Sequence, residues 1–299
     1  MCGIVGLYIK NPKLQGKLGA MFTPMLIEMT SRGPDSAGVA IYRDQVKKGH
    51  LKLTLAADSD DFDWKNIDSG LEKALKCDVK TQTVANHCIM VTDAEEADAR
   101  QWLKANAPKV RVVSAGKTIE IFKEVGLPAA VADRFSLRSA HGTHAIGHTR
   151  MATESAVTTA GSHPFSTGDD VCLVHNGSLS NHNRLRENLK KKGIEFLTQN
   201  DTEVAAGYFT DKLRDGASLK EALQAGLKDL DGFYTFCIGT ADGFAVVRDP
   251  FACKHAVLAE TDDWVAMATE YRAIAHLPGA DKAKIWEPAP ETIYTWGNA

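Results

Sequence analysis

Apolar residues run almost unbroken from Cys2 to Tyr8. A short Ile- and Val-rich run of this kind reads as a buried strand. The spacing then changes. Leu18, Met21, Phe22, Met25, Leu26 and Met29 recur at helical intervals, forming one apolar face. That helix is expected to stop before Ser31-Arg32-Gly33-Pro34-Asp35, where Pro and Gly punctuate the chain. Gly38–Tyr42 reads as a second strand.

From about residue 49 to 139 the texture differs. Asp58 to Asp63 is an acidic stretch, read as a solvated loop. His87–Val91 reads as a strand. Thr92 and Glu95 have capping-box spacing ahead of a helix over roughly 93–106. Val110–Val113 is the returning strand, with Thr118–Phe122 as one more. This β-α-β pattern suggests an α/β insertion lobe over about 49–139, within a domain spanning 2–299. Strands are then expected at Ala145–His148, Val171–His175, Phe233–Gly239, Phe244–Arg248, His255–Leu258 and Val265–Thr269. Helices fit Asn183–Lys192, Thr202–Leu213 and Leu219–Leu230, the last with a Ser218/Glu221 capping box. Short turns between neighbouring strands imply antiparallel pairing. Hairpins with helices grouped between them suggest helix–sheet–sheet–helix layering, an α+β fold.

Composition narrows the class. The 299 residues are 44% hydrophobic and 24% charged, with net charge -3. That excludes dominant disorder and leaves no basic footprint for nucleic acid or a membrane surface. No apolar run is long enough for a spanning helix. Six cysteines without CxxC spacing, and no signal-like N-terminus, imply a cytoplasmic protein with reduced thiols. Two sequons, at Asn176 and Asn200, then need another explanation.

Cys2 follows Met1 and precedes Gly3. Small residues here favour removal of Met1, which leaves an α-amine beside the thiol. With pKa values of ~8 for the amine and ~8.5 for the thiol, the amine can serve as base for its own side chain. Alone, a Cys at this position is weak evidence for a nucleophile. Five further motifs accompany it: Arg32-Gly33-Pro34-Asp35-Ser36-Ala37-Gly38, Gly147-His148-Thr149-Arg150-Met151-Ala152-Thr153, Ser162-His163-Pro164-Phe165, His175-Asn176-Gly177 and Asn200-Asp201-Thr202-Glu203.

Together with the Met1–Gly6 start, these resemble, in order, the motifs of the class II glutamine amidotransferases. The resemblance covers residues 1–48 and about 140–270. It implies a four-layer αββα Ntn-hydrolase sandwich of two antiparallel sheets. It also implies that Cys2 attacks the side-chain amide of glutamine, with Asn176 and Gly177 as oxyanion donors. On the same resemblance, Arg150 and Thr153 bind the substrate carboxylate, Asp201 its ammonium, and Arg32, His163 and His175 brace the pocket. His175-Asn176-Gly177 also reads as a tight turn, and Asp201 as a helix N-cap.

His141, His144 and His148 have metal-like spacing, but no carboxylate or Cys completes a ligand set. No metal or cofactor is expected. Met151 and Glu154 depart from the family pattern over the glutamine pocket.

The sequence has no room for the synthase domain that many members carry. A separate synthase subunit accepting ammonia is therefore expected, as in glutamate-synthase-like or N-methylglutamate synthase complexes, with the insertion as docking surface. The alternatives are a free-standing γ-glutamyl amide hydrolase and a non-catalytic glutamine-sensing subunit.

Overall fold

A computed structural model describes residues 2–152 and 156–298. The chain opens with β1 (Gly3–Ile9), α1 (Leu18–Glu28) and β2 (Ser36–Tyr42). β3 (Leu51–Ala56), α2 (Lys65–Leu75), β4 (Val79–Val84), β5 (His87–Thr92), α3 (Glu96–Asn106) and β6 (Arg111–Gly116) come next. β7 (Ile119–Val125), α4 (Pro128–Arg134), β8 (His144–Arg150), β9 (Phe165–Gly168) and β10 (Val171–Leu179) follow. The remainder is α5 (His182–Lys191), α6 (Asp201–Arg214), α7 (Leu219–Asp229), β11 (Gly232–Thr240), β12 (Gly243–Arg248), β13 (Val257–Glu260), β14 (Trp264–Ala268), α8 (Tyr271–Ile274), β15 (Lys284–Trp286) and β16 (Ile293–Gly297).

Among the described residues these strands form three antiparallel sheets. A seven-stranded sheet has the order β15-β13-β14-β1-β8-β2-β7, and a five-stranded sheet the order β16-β12-β11-β10-β9. Strand alternation explains how they stack. On β1, Val5, Leu7 and Ile9 pack with α1, α4 and α8, while Ile4 faces the second sheet. On β10, Cys172 and Val174 meet that inner layer, while Val171 and Leu173 pack towards α6 and α7. Both sheets are covered on both faces, which is why their strands read as continuous apolar runs. The layers are α1/α4/α8, sheet, sheet, α5–α7, the expected αββα sandwich.

The third sheet, β4-β5-β3-β6, has its own core of Leu53, Leu55, Leu71, Met90 and Leu103. β3 lies antiparallel between β5 and β6, and β5 between β4 and β3. Each helix therefore crosses over one intervening strand, a split βαββαβ arrangement.

The expected 49–139 lobe divides in two. β7 pairs with β2 along its length, from Ser36↔Val125 to Tyr42↔Ile119. It places Ile119 and Ile121 between the main sheets and Phe122 under α1 and α4. A strand with apolar side chains buried on both sides needs a layer on each, and the sandwich supplies both. The lobe proper is 51–116. The Thr92/Glu95 capping box does not form: Thr92 Oγ1 accepts from Ala94 N at 3.1 Å, and Glu95 caps α3 without its side chain. The Ser218/Glu221 box is present.

Candidate active site

β1 begins at Gly3, so Cys2 sits half-buried at the strand's start. Its Sγ lies 3.9 Å from the Met151 carbonyl oxygen. β10, in the facing sheet, brings up the second part of the site. Asn176 Nδ2 donates to the Cys2 carbonyl at 3.1 Å and to Thr269 Oγ1 at 3.2 Å. Thr269 Oγ1 also accepts from Ile4 N at 2.8 Å, so one hydroxyl ties together β1, β10 and the end of β14. Sequence reading placed Thr269 in a strand and gave it no role. The β1–β14 pairing that brings it here leaves no local signal.

His175-Asn176-Gly177 is not a turn. β10 continues through it, with Asn176 opposite Thr235 and Gly177 opposite Tyr234. Gly177 has φ of +146°, and a Cβ there would lie 1.9 Å from the Phe233 carbonyl oxygen. No L side chain fits both constraints.

Arg150 ends β8 and is buried, with Nη1 donating to Ala156 O at 3.3 Å. The Arg32–Gly38 motif meets it through Asp35. Asp35 N donates to Arg150 O at 3.0 Å, and Asp35 Oδ2 accepts from Ala152 N at 2.8 Å. Arg32 forms an ion pair with Glu270 at 3.0 Å, bracing the chain beside Thr269. Thr153 and Glu154 lie outside the described residues, as does Met1.

Asp201 is the first residue of α6, not its cap. Asn200 is the cap, its side chain accepting from Thr202 N at 2.9 Å. Asp201 Oδ2 instead accepts from Leu179 N at 2.9 Å, and Oδ1 stands 3.7 Å from His175 Nδ1. The Asn176 and Asn200 sequons thus have structural explanations: one side chain meets Cys2, the other caps a helix.

Three histidines build the wall behind these groups. His148 and His163 stack with ring centroids 3.9 Å apart. His148 Nε2 lies 3.1 Å from His175 O, and His175 Nδ1 lies 3.0 Å from Thr202 Oγ1. Burial pushes His148 down to about 3 and His163 well below its ordinary value. Burial also lowers His175, partly offset by the nearby Asp201.

The metal-like trio separates. His141 Nδ1 meets Arg43 Nη1 at 3.1 Å, His144 Nε2 faces Thr240 O at 3.0 Å, and His148 joins the wall. Among the described residues, no group of three His, Cys, Asp or Glu could hold a metal ion.

Residues 148–276 match the family described as "Glutamine amidotransferase domain". Over 297 residues the chain is 53% identical to the glutamine amidotransferase-like protein GlxB of Rhizobium meliloti strain 1021, covering 99% of this chain and 98% of that one. The chain belongs to the glutamine amidotransferase family.

A shorter stretch of this amidotransferase, 125 residues, is 34% identical to glutamine–fructose-6-phosphate aminotransferase of Idiomarina loihiensis, covering 42% of this chain and 20% of that one. Among solved structures, glutamine phosphoribosylpyrophosphate amidotransferase from B. subtilis, complexed with ADP and GMP, matches with TM-score 0.62 at 20% identity. That match covers 99% of this chain and 47% of the other. At such identity the likeness is one of fold, that of the Ntn-hydrolase amidotransferases. Among the described residues, no helix of the amidotransferase is long and apolar enough to cross a membrane.

Proposed function

We propose that this amidotransferase hydrolyses the side-chain amide of glutamine through a Cys2 thioester and passes the ammonia to a separate synthase polypeptide. One observation supports the reading above others: the Asn176 amide lies on the Cys2 carbonyl at 3.1 Å. Nucleophile and nearest side-chain donor meet there from opposite sheets.

With Met1 removed, the α-amine of Cys2 takes the thiol proton. The wall histidines are poor substitutes. A base whose conjugate acid has a pKa near 3, as at His148, holds a proton weakly at neutral pH. The thiolate attacks the amide carbon, and the oxyanion accepts from Asn176 Nδ2 and Gly177 N–H. Nδ2 already serves Cys2 O and Thr269 Oγ1, so the hole forms when substrate oxygen replaces one of them. Ammonia leaves with the proton from the α-ammonium, and water releases glutamate from the thioester. Arg150 and Thr153 hold the substrate carboxylate, Asp201 its ammonium. Arg32, His163 and His175 shape the pocket.

Exposed apolar side chains support a covering partner. Met151 follows Arg150 and Val157 lies in the next loop, and both are exposed. Among the described residues, no large exposed hydrophobic falls within 51–116. The proposed docking face is therefore the mouth of the site rather than the lobe. A glutamate-synthase-like subunit seated there keeps ammonia from solvent.

Purified protein should release glutamate and ammonia from glutamine, and intact mass should show Met1 absent from the active form. Hydrolysis by protein retaining Met1 would overturn the α-amine mechanism. Much faster turnover of γ-glutamyl conjugates than of glutamine makes the protein a free-standing hydrolase instead.

A further inference from the structure

Lys123 has no part in the chemistry above, yet it is only 6% exposed. A buried ammonium is costly unless its charge is answered. Among the described residues, no carboxylate forms an ion pair with it. Its Nζ instead donates to three backbone carbonyls: Ala160 O at 3.2 Å, Ser162 O at 2.8 Å and Pro164 O at 3.2 Å. An ammonium has three donors, and all three are used. The Phe165 ring closes the fourth side, 4.5 Å from Nζ. The backbone at Gly38, opposite Lys123 on β2, is bare enough for the His163 carbonyl to press against it.

The segment so held reaches the pocket at two points. A Cβ placed on Gly161 would lie 3.5 Å from Arg150 Nη1, and Ala156 O accepts from that same nitrogen. His163 stacks on His148 and lies 3.4 Å from Thr202 Oγ1, beside Asp201. The loop therefore walls the guanidinium at one end and adjoins the carboxylate at the other.

We propose that Lys123 is a positioning residue for glutamine binding, its ammonium fixing the 160–164 loop so that Arg150 is held to receive the substrate carboxylate. This rests on the reading of Arg150 as the carboxylate clamp. The charged state matters, because a neutral amine keeps only two donors for three carbonyls. Burial and Arg111 on β6 disfavour the charge, while Glu203 on α6 favours it. His163 in the loop and His87 on β5 also feel it. Burial chiefly, helped by Arg111 and opposed by Glu203, pushes Lys123 down to about 7. Substrate affinity should therefore weaken as pH rises through neutrality.

The test compares wild type with Lys123→Met, which keeps most of the length of the side chain and removes the donors. Glutamine kinetics are measured from about pH 6 to about pH 8.5, spanning the lysine's titration. Cys2 is labelled in parallel by iodoacetamide, which needs no carboxylate clamp, and by a glutamine-shaped diazoketone, which does. At the low end, KM should rise about tenfold in the variant while kcat changes less than about threefold. Iodoacetamide labelling should keep its rate, and diazoketone labelling should slow in step with KM. Wild-type KM should climb with pH, and the variant's should stay flat.

A folded variant with wild-type KM overturns the proposal. So does an equal loss of kcat and iodoacetamide labelling, which marks a structural role only. If the variant does not fold, the wild-type profile decides, and a flat KM across the range overturns it. If wild type neither hydrolyses glutamine nor takes the diazoketone, the glutaminase reading falls and this one with it.

Discussion

The cysteine end of the sandwich and the 51–116 lobe bury polar groups in different ways. Around Cys2 the polar side chains are inside and tied to distant partners: Asn176 to Cys2 and Thr269, Thr149 to Met29, Lys123 to the 160–164 loop. In the lobe some ion pairs lie nearer solvent, as Arg111–Asp58 and Arg100–Glu96 do, while Lys52 of β3 makes a buried pair with Glu120 of β7. β4 alternates between half-buried and exposed, whereas β2 and β8 are buried throughout. The lobe follows amphipathic rules for the most part, with a few buried polar groups such as Asn86 and His87. The sandwich breaks them at its cysteine end, where buried polar groups are costly unless paired. A polar substitution there should disturb chemistry and fold together, while one in the lobe should disturb fold alone.

The largest test of that contrast is excision. Removing 55–135 takes β7 and α4 with the lobe, and should leave an insoluble chain, because the seven-stranded sheet loses an edge strand packed on both faces. Replacing only 44–117 with a short turn should leave a folded protein that still releases ammonia from glutamine. Solubility and a glutaminase assay read both. Equal failure of the two deletions would erase the distinction between core and lobe.

Next comes Asn176→Ala, expected to lower kcat by ~10²–10³ as one proposed oxyanion donor is lost. The matching lobe change, Asn86→Ala, removes a buried amide bonded to Glu124 and should cost ~1–3 kcal/mol of stability with kcat unchanged. Steady-state kinetics beside denaturant melts separate them. A kcat loss at Asn86 would break the comparison.

A last effect, absent at neutral pH, is shared by both regions. Burial pushes His87 in the lobe, and His144 and His148 in the sandwich, down to about 3. Unfolded, each binds a proton below ~6.5, which the folded state does not accept until near 3. Stability is therefore fully present above that unfolded value and falls as pH drops through the window. The slope is at most about 1.4 kcal/mol per pH unit for each histidine. Denaturant melts between the two limits should show it, and His87→Gln should flatten the slope without altering glutamine turnover. An unchanged slope would mean that His87 is charged in the folded protein.

Periodicity carried the fold a long way. All six apolar positions predicted for the first helix line the core under α1. The helices at 183–192, 202–213 and 219–230 appear within a residue or two. α2 escaped because only Ile67 and Leu71 bury within a polar stretch. β7 reads as a strand of the lobe from its sequence, since its apolar Ile119, Ile121 and Phe122 do not say which sheet covers them. The residues proposed for the site, Thr153 aside, come from short motifs that the fold brings close together. Thr269, Glu270 and Lys123 were not legible in the sequence, because their partners lie at 4, 32 and 160–164, joined only by pairing across the sandwich.

The Tyr42↔Ile119 pair has a consequence of its own. The chain from Arg43 to Thr118 leaves and re-enters the sandwich at two neighbours on adjacent strands, with side contacts such as Lys52–Glu120 and Asn86–Glu124 alongside. Asp170 clasps the returning chain, accepting from Lys117 N, Thr118 N, Thr118 Oγ1 and Ile119 N. Such a junction works as a socket. Because loop-closure entropy grows only logarithmically with length, the sheet barely registers how much chain is plugged in there. A lineage or an engineer can exchange that cassette for another whose ends stand one strand spacing apart, leaving the arrangement of β1, β8 and β10 around Cys2 as it was.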